Sequence, residues 1–359
     1  MQLNAGRTLI LFILFAFNAQ AQHHVPSANE PVGIVDLGEI RFPTSGPAEA
    51  QAHFIRGVLL MHSFEYDRAR RAFIEARTAA PKFAMAYWGE AMTHNQAIWG
   101  EQDRGAALAA LARLGATPAE RLAAAPTERE KLYLSAVELL YVDGDQRQIY
   151  AAYSNAMGEL ARRYPDDLEA RAFYALSLLG LTGDVRNTEN YMRGAAVAEE
   201  VFEANRKHPG AIHYLIHAYD DPAHAPLGLR VARIYGTVAR GASHAQHMPS
   251  HIFFALGMWD DSIGANTASM KTARDAGSGG YHPLHWLEHS YLQTGRDDEA
   301  AKLVAIVEDD AGKNPSAYAR THLAMCRATW LAETKGSGPA TMLKAVDSTG
   351  ISSVDVFAG

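Results

Sequence analysis

The feature that most constrains the fold of this chain is the recurrence of Gly and Pro between Ala-rich segments with helical periodicity. From about residue 46 onward, apolar residues recur at spacings of three and four, and no stretch keeps the alternation of a β-strand. Equivalent Gly or Pro positions return every 30 to 40 residues, as expected of repeated helix pairs. The sequence therefore predicts an all-α array of about eight helix pairs, within 48–81, 82–115, 128–163, 166–204, 208–241, 242–277, 281–312 and 315–334.

One turn motif recurs between the two helices of a pair. The segment LGMWDD at 256–261 returns as TGRDDEA at 294–300, and FEYDRA at 64–69 has the same character. This turn, with Phe and Pro following at fixed offsets, resembles that of the tetratricopeptide repeat (TPR) over most of residues 48–334. The resemblance implies a right-handed superhelical solenoid whose concave groove is lined by the first helix of each pair and binds a peptide or protein partner.

The two ends of the chain are expected to lie outside this array. A positive residue, the apolar run LILFILFAF and the small-residue sequence AQA follow one another in the order of a secretory signal peptide. Residues 1–21 are therefore expected to be cleaved near Ala21, and the mature protein to be exported to the periplasm or the cell exterior. Residues 22–45 are expected to form an extended arm, residues 46–335 the solenoid, and residues 336–359 a loop and an incomplete repeat.

Composition excludes several classes of function. A formal net charge of −7 with 20% charged residues lacks the Lys and Arg excess of a nucleic-acid-binding surface. The single cysteine, Cys326, excludes a disulfide framework, a Cys-based zinc site and an iron–sulfur cluster. No segment after the signal peptide is long and apolar enough to predict a membrane span. The unusual count is 16 histidines, most of which lie within residues 208–289.

Three pairs with the pattern HxxxH are the strongest indication of a functional site. On a helix this spacing places both imidazoles on one face, where they can chelate one metal ion. The pairs are His213 and His217, His247 and His251, and His285 and His289. The first two pairs lie 34 residues apart and the last two 38, which is also the separation of Gly257 and Gly295. The pairs therefore recur in phase with the repeats, and the six imidazoles are expected to converge on one patch of the groove.

Several other residues are candidates for this patch or for contacts behind it. Asp220 and Glu288 are candidate acceptors that would fix imidazole tautomers. Glu90 and His94 have the register of His247 and His251 in the second repeat, although the same spacing suits an ordinary Glu–His pair on a helix surface. The full set of additional candidates is Glu90, His94, His208, His244, His282, Asp220 and Glu288. Three histidines out of register, His53, His62 and His322, are expected to be structural.

Pro249 lies inside the second pair and leaves two helix starts open. A helix that begins near Ala242 would be interrupted at Pro249, which lacks a backbone N–H. A helix that begins at Met248 would hold Pro249 comfortably in its first turn. Both starts keep His247 near His251.

The donor set restricts the metal. Imidazoles suit zinc, copper, iron or nickel and disfavour magnesium and calcium. Three or four histidines with an open position would form a water-activating zinc site, whereas two sets of three would suit a pair of copper ions that activates dioxygen. The sequence thus predicts a copper or zinc site that binds or acts on a small molecule or peptide. An enzyme of this kind would be a metal-dependent oxidase, oxygenase or hydrolase, and the alternative is a metal-free TPR interaction scaffold.

Overall fold

The computed structural model of the protein describes residues 37–182, 186–336, 338, 342 and 344. The predicted signal peptide and most of the predicted arm and C-terminal segment lie outside the described residues. Within the described part of the chain, no helix has the length and apolar character needed to cross a membrane.

The described residues are predominantly α-helical. A short antiparallel hairpin of β1 (Asn95–Gln96) and β2 (Glu101–Gln102) interrupts the second pair, and a 3-10 turn covers Gly180–Thr182. The α-helices are α1 (Ala48–His62), α2 (Tyr66–Ala79), α3 (Ala84–Met92), α4 (Arg104–Ala112), α5 (Pro118–Ala124), α6 (Glu128–Leu140), α7 (Gln146–Arg163), α8 (Leu168–Leu179), α9 (Thr188–Ala204), α10 (Pro209–Tyr219), α11 (Ala225–Val238), α12 (Ser243–His247), α13 (Pro249–Ala255), α14 (Trp259–Asp275), α15 (Tyr281–Gln293), α16 (Asp297–Lys313) and α17 (Ala317–Thr334).

Helices that follow one another in the chain pack against one another, which makes the molecule a helical-repeat array. Several helices also contact the helix two positions further on, as α8 contacts α10 and α15 contacts α17. The first helix of the sixth pair is split into α12 and α13 at Pro249, as expected for a helix that begins near Ala242. The predicted all-α solenoid of helix pairs is confirmed.

The array curls until its first pair contacts its fifth and sixth pairs. Helix α1 packs on α10, and the turn after α1 reaches the second helix of the fifth pair. In that turn Ser63 Oγ lies 3.3 Å from Tyr235 Oη. The Glu65 carboxylate accepts the backbone N–H of His244 at 3.3 Å. The first pair therefore covers the histidine-rich helices α10 and α12, which do not line an open groove.

The described part of the arm, residues 37–45, strengthens this closure. Phe42 is buried and makes edge-to-face contacts with Phe54 at 5.2 Å and Trp88 at 5.8 Å between ring centroids. The backbone N–H of Glu39 donates to the carbonyl of Lys207 at 2.9 Å. The arm thus joins the first pair to the start of the fifth.

Candidate metal centre

Six buried or half-buried imidazoles from three successive repeats form one cluster with two groups of three. Site A comprises His213, His217 and His244, and site B comprises His247, His251 and His282. Within each site the three candidate ligand nitrogens lie within 4.8 Å of one another. The sites adjoin, because the rings of His217 and His251 lie 6.1 Å apart and those of His244 and His247 lie 5.9 Å apart.

The two sites have the same construction, one repeat apart. Each takes an HxxxH pair from the first helix of one repeat and a single histidine from the first turn of the next. In site A the pair lies on α10 and His244 lies at the start of α12. In site B the pair lies on α12 and α13, and His282 lies at the start of α15. A shift by one repeat therefore maps site A onto site B.

The tautomers of the site B pair are set by acceptors behind the rings. His247 Nδ1 lies 2.7 Å from Asn266 Oδ1, and the Asn266 amide is oriented by donating to the Ser262 carbonyl at 3.0 Å. His251 Nδ1 lies 2.7 Å from the Asp220 carboxylate. Because these oxygens only accept, both Nδ1 atoms carry a proton, which leaves the Nε2 atom of a neutral ring with a lone pair.

These two Nε2 atoms face each other. They lie 3.0 Å apart, and two neutral rings with protonated Nδ1 atoms would bring no proton between them. Two ligands of a tetrahedral ion with bonds of about 2.0 Å are separated by roughly 3.3 Å. The spacing therefore fits two donors that share one cation.

Site A repeats this arrangement with a backbone acceptor. His62 is the last residue of α1, so its carbonyl has no helical partner and accepts from His213 Nδ1 at 2.7 Å. His213 Nε2 therefore carries a lone pair and lies 3.1 Å from His217 Nε2. The third member, His244, has a buried Nε2 with no hydrogen-bond partner among the described residues. Polar atoms buried in this way are rare in folded proteins unless they have a ligand.

Burial favours the neutral form of five of the six imidazoles. Desolvation lowers the pKa of His213 to about 3. Burial, and then the neighbouring imidazoles, hold the pKa of His217, His244, His247 and His282 well below the ordinary value of 6.5. Neutral imidazole is the form that binds a metal ion.

Aromatic rings enclose both sites. The Phe64 ring lies 4.2 Å from that of His213, and 5.6 and 5.7 Å from the other two rings of site A. Trp286 stacks on His251 in site B with ring centroids 4.3 Å apart. These contacts limit the access of water and fix the orientation of the imidazoles.

A third group, His62, Glu169 and His208, has the donor types of a metal site but is fully satisfied by hydrogen bonds. The Glu169 carboxylate lies 2.7 Å from His62 Nε2 and 3.1 Å from His208 Nε2. His62 Nδ1 lies 2.7 Å from the Tyr214 hydroxyl, and His208 Nδ1 accepts the backbone N–H of Ala211 as the N-cap of α10. No lone pair of an imidazole remains for a metal, so His208 is a structural residue here and not part of the predicted patch.

Two of the predicted metal ligands lie outside both sites. His285 Nε2 lies 2.7 Å from Thr329 Oγ1 on α17, and His289 Nε2 lies 3.1 Å from the amide of Gln293. The His289 ring packs on Phe254 of α13, whereas His282 in the first turn of α15 meets His247 of α12. His282 therefore takes the place that the repeat phase assigned to His285 and His289.

Three further candidates lie elsewhere. Glu90 is buried beside Arg77, whose Nε lies 2.5 Å from its carboxylate, and His94 belongs to neither site. Glu288 is buried against Cys326 and contacts no imidazole among the described residues, so it fixes no tautomer. Burial raises the pKa of Glu288 well above its ordinary value.

The comparisons with known proteins concern the fold alone. No protein-family model matches the chain, and no curated protein matches its sequence. A solved structure of a Rap protein complexed with competence and sporulation factor is 12% identical, covers 83% of this chain and 85% of its own, and has a TM-score of 0.43. The P58(IPK) TPR domain is 14% identical, with 80% and 92% covered and a TM-score of 0.23. Yeast Tom70 is 10% identical, with 86% and 88% covered and a TM-score of 0.24.

Proposed function

We propose that this helical-repeat protein is a metalloprotein that binds two copper ions, one in site A and one in site B. The observation that supports the proposal most directly is the close approach of His247 Nε2 and His251 Nε2, which lie 3.0 Å apart. Each of these rings donates its other nitrogen to an oxygen acceptor, which is the usual arrangement behind a metal-bound histidine. The buried Nε2 of His244 provides the same indication for site A.

The adjacency of two three-imidazole sites favours copper over zinc. Each site offers three imidazoles, and neither contains a carboxylate among the described residues. Asp220, which lies close to site B, already accepts from His251 Nδ1. Adjacent three-imidazole sites suit a pair of copper ions, which when bound would supply the electrons for chemistry with dioxygen. An oxidase or oxygenase that acts on a small molecule or peptide is therefore the activity we propose, and we place it outside the cytoplasm on the signal-peptide prediction.

Metal content provides the first test. We expect the purified, untagged mature protein to retain two equivalents of copper after dialysis. Because the ions bind the folded protein preferentially, loading is expected to raise the melting temperature. Free copper at about 1,000 times the dissociation constant of a site adds about 4 kcal/mol of stability. Elemental analysis and thermal denaturation with and without a chelator measure both effects.

The outcomes separate the alternatives. Two equivalents of zinc with no bound copper would replace the oxidase proposal by a hydrolytic one. A protein that binds neither metal, and whose melting temperature does not respond to either, would contradict the metal centre and leave the interaction scaffold.

The acceptor behind His247 provides a second prediction. Asn266→Leu removes the oxygen that accepts from His247 Nδ1. The ring can then adopt the other tautomer, so we expect copper affinity at site B to fall by about 10- to 100-fold. Asn266→Asp keeps an acceptor oxygen and is the matched control, with affinity expected near that of the wild type. Competition titration with a copper chelator measures the affinities, and equal losses in both variants would contradict the role given to Asn266.

A further inference from the structure

Phe64 has a backbone conformation that its side chain disfavours. Its φ is +55°, in the left-handed region, where residues with a bulky side chain are rare. The residue is buried at the end of α1, so the conformation belongs to a packed turn and not to a mobile loop. A strained residue of this kind persists only where the surrounding structure imposes it, and such residues are frequent at functional sites.

Two other repeats have glycine at the same position. Gly257 and Gly295 have φ values of +68° and +71° and follow the first helices of the sixth and seventh pairs. In all three turns the N–H of this residue donates to a carbonyl three residues back, and the next N–H donates to one five residues back. This helix-ending turn favours glycine, because glycine has no Cβ to clash in the left-handed region. Local backbone energetics therefore do not explain the phenylalanine at position 64.

The Phe64 side chain does have a defined place. Its ring packs on all three imidazoles of site A, with 4.2 Å between its centroid and that of His213. The Trp99 ring lies behind it at 5.4 Å and also faces His217 at 6.4 Å. Phe64 thus covers the side of site A that faces the first pair.

Site B has more half-buried rings than site A. In site B His251, with a side chain that is 13% exposed, and His282 are both half-buried, whereas in site A only His244 is. Asp220, which contacts His251, is itself 30% exposed. On the His251 side, site B therefore offers a more accessible approach to an incoming ligand.

We propose that Phe64 covers the metal of site A against external ligands, so that a small anion or a substrate donor atom coordinates only at site B. The proposal rests on the proposed function, since it requires metal in both sites. It makes Phe64 a specificity-determining residue, and it explains why a strained phenylalanine stands where the turns of the sixth and seventh pairs have glycine.

Azide binding to the Cu(II)-loaded protein tests this proposal with two variants. Phe64→Ala removes the ring and keeps the backbone strain, whereas Phe64→Gly removes the ring and relieves the strain. We expect the wild type to bind one azide, and both variants to bind a second with at least tenfold higher affinity than the wild type shows for it. The azide-to-copper charge-transfer absorption reports binding, elemental analysis reports copper content, and the melting temperature of the metal-free variants reports folding.

The two variants separate the ring from the turn. Phe64→Gly should melt higher than Phe64→Ala, but azide binding should be the same in both if the ring is the barrier. If the variants bind two copper ions but bind azide as the wild type does, or if only Phe64→Ala differs, the role of Phe64 is wrong. The proposed metal centre would not be affected by that result. A wild-type protein that binds no copper would contradict the proposed function, and the role of Phe64 with it.

Discussion

Replacing His282 by alanine is expected to abolish the binding of one copper ion, whereas replacing His289 is expected to leave both ions bound. His282 belongs to site B, with its ring 4.4 Å from that of His247. His289 instead lies 3.1 Å from the Gln293 amide and packs on Phe254. Loss of a residue that hydrogen-bonds to a ligand typically lowers metal affinity by about 10- to 100-fold. Loss of the ligand itself should have a larger effect, so the copper affinity of site B should fall by more than about 100-fold. Copper equivalents after dialysis and chelator competition measure the difference.

The matched comparison uses the equivalent residue of site A. His244→Ala should release the ion of site A and spare that of site B, because the two sites are the same unit one repeat apart. A second substitution in the same site, such as His217→Ala with His244→Ala, should add little, since the site is already broken. If His289→Ala removes metal and His282→Ala does not, the ligand set proposed here is wrong and the HxxxH phase prediction is right.

The fold was predictable because its signals are local. Helical periodicity and Gly or Pro between helices mark each pair, and the bounds of α1 and α2 fall within the predicted range 48–81. The same holds for the HxxxH pairs on α10 and on α12 and α13, which need only the pitch of one helix.

The third member of each site needed more than local information. His244 and His282 are 38 residues apart, like His247 and His285, so the repeat phase cannot choose between them. The choice depends on which residue of the following helix lies beside the HxxxH pair. In α15 this is His282 in the first turn, 4.4 Å from His247, whereas His289 packs further along on Phe254. An HxxxH pair therefore completes its site with a residue from the following repeat.

The residues that enclose and orient the sites could not be predicted from spacing. The His62 carbonyl that accepts from His213 is 151 residues away in the chain, and it arrives only because the array curls back on itself. The sequence gives only a weak indication of the role of Asn266. Together with Ser262 and Ser269 it forms a buried polar stripe at helical spacing on α14, which indicates a partner on the facing helix.

Replacing Glu169 by alanine is expected to cause the largest loss of stability. Glu169 is fully buried on α8 and accepts from His62 on α1 and from His208 at the start of α10. Its removal leaves two buried imidazole N–H groups without an acceptor and separates the elements that close the array. Loss of one partner from such a buried group costs about 3 to 5 kcal/mol. Urea denaturation of the metal-free protein measures the change in the free energy of unfolding.

The matched control is another glutamate on a neighbouring helix. Glu159 on α7 is exposed and pairs with Arg162 one turn away. Exposed pairs of this kind contribute little, so Glu159→Ala should leave the unfolding midpoint unchanged. Equal effects of the two substitutions would show that the buried group does not hold the first pair against the fifth.

Glu169→Gln keeps the shape of the side chain and tests the charge through its pH dependence. Burial raises the pKa of Glu169, but the charges and hydrogen bonds of His208 and His62 outweigh it and lower the pKa from 4.5 to about 2. Between these pH values the unfolded chain binds the proton and the folded protein does not. The stability that the wild type has over Glu169→Gln should therefore be fully present above pH 4.5 and disappear as the pH falls toward 2. A difference that stays constant across this range would mean that Glu169 is already protonated in the folded protein.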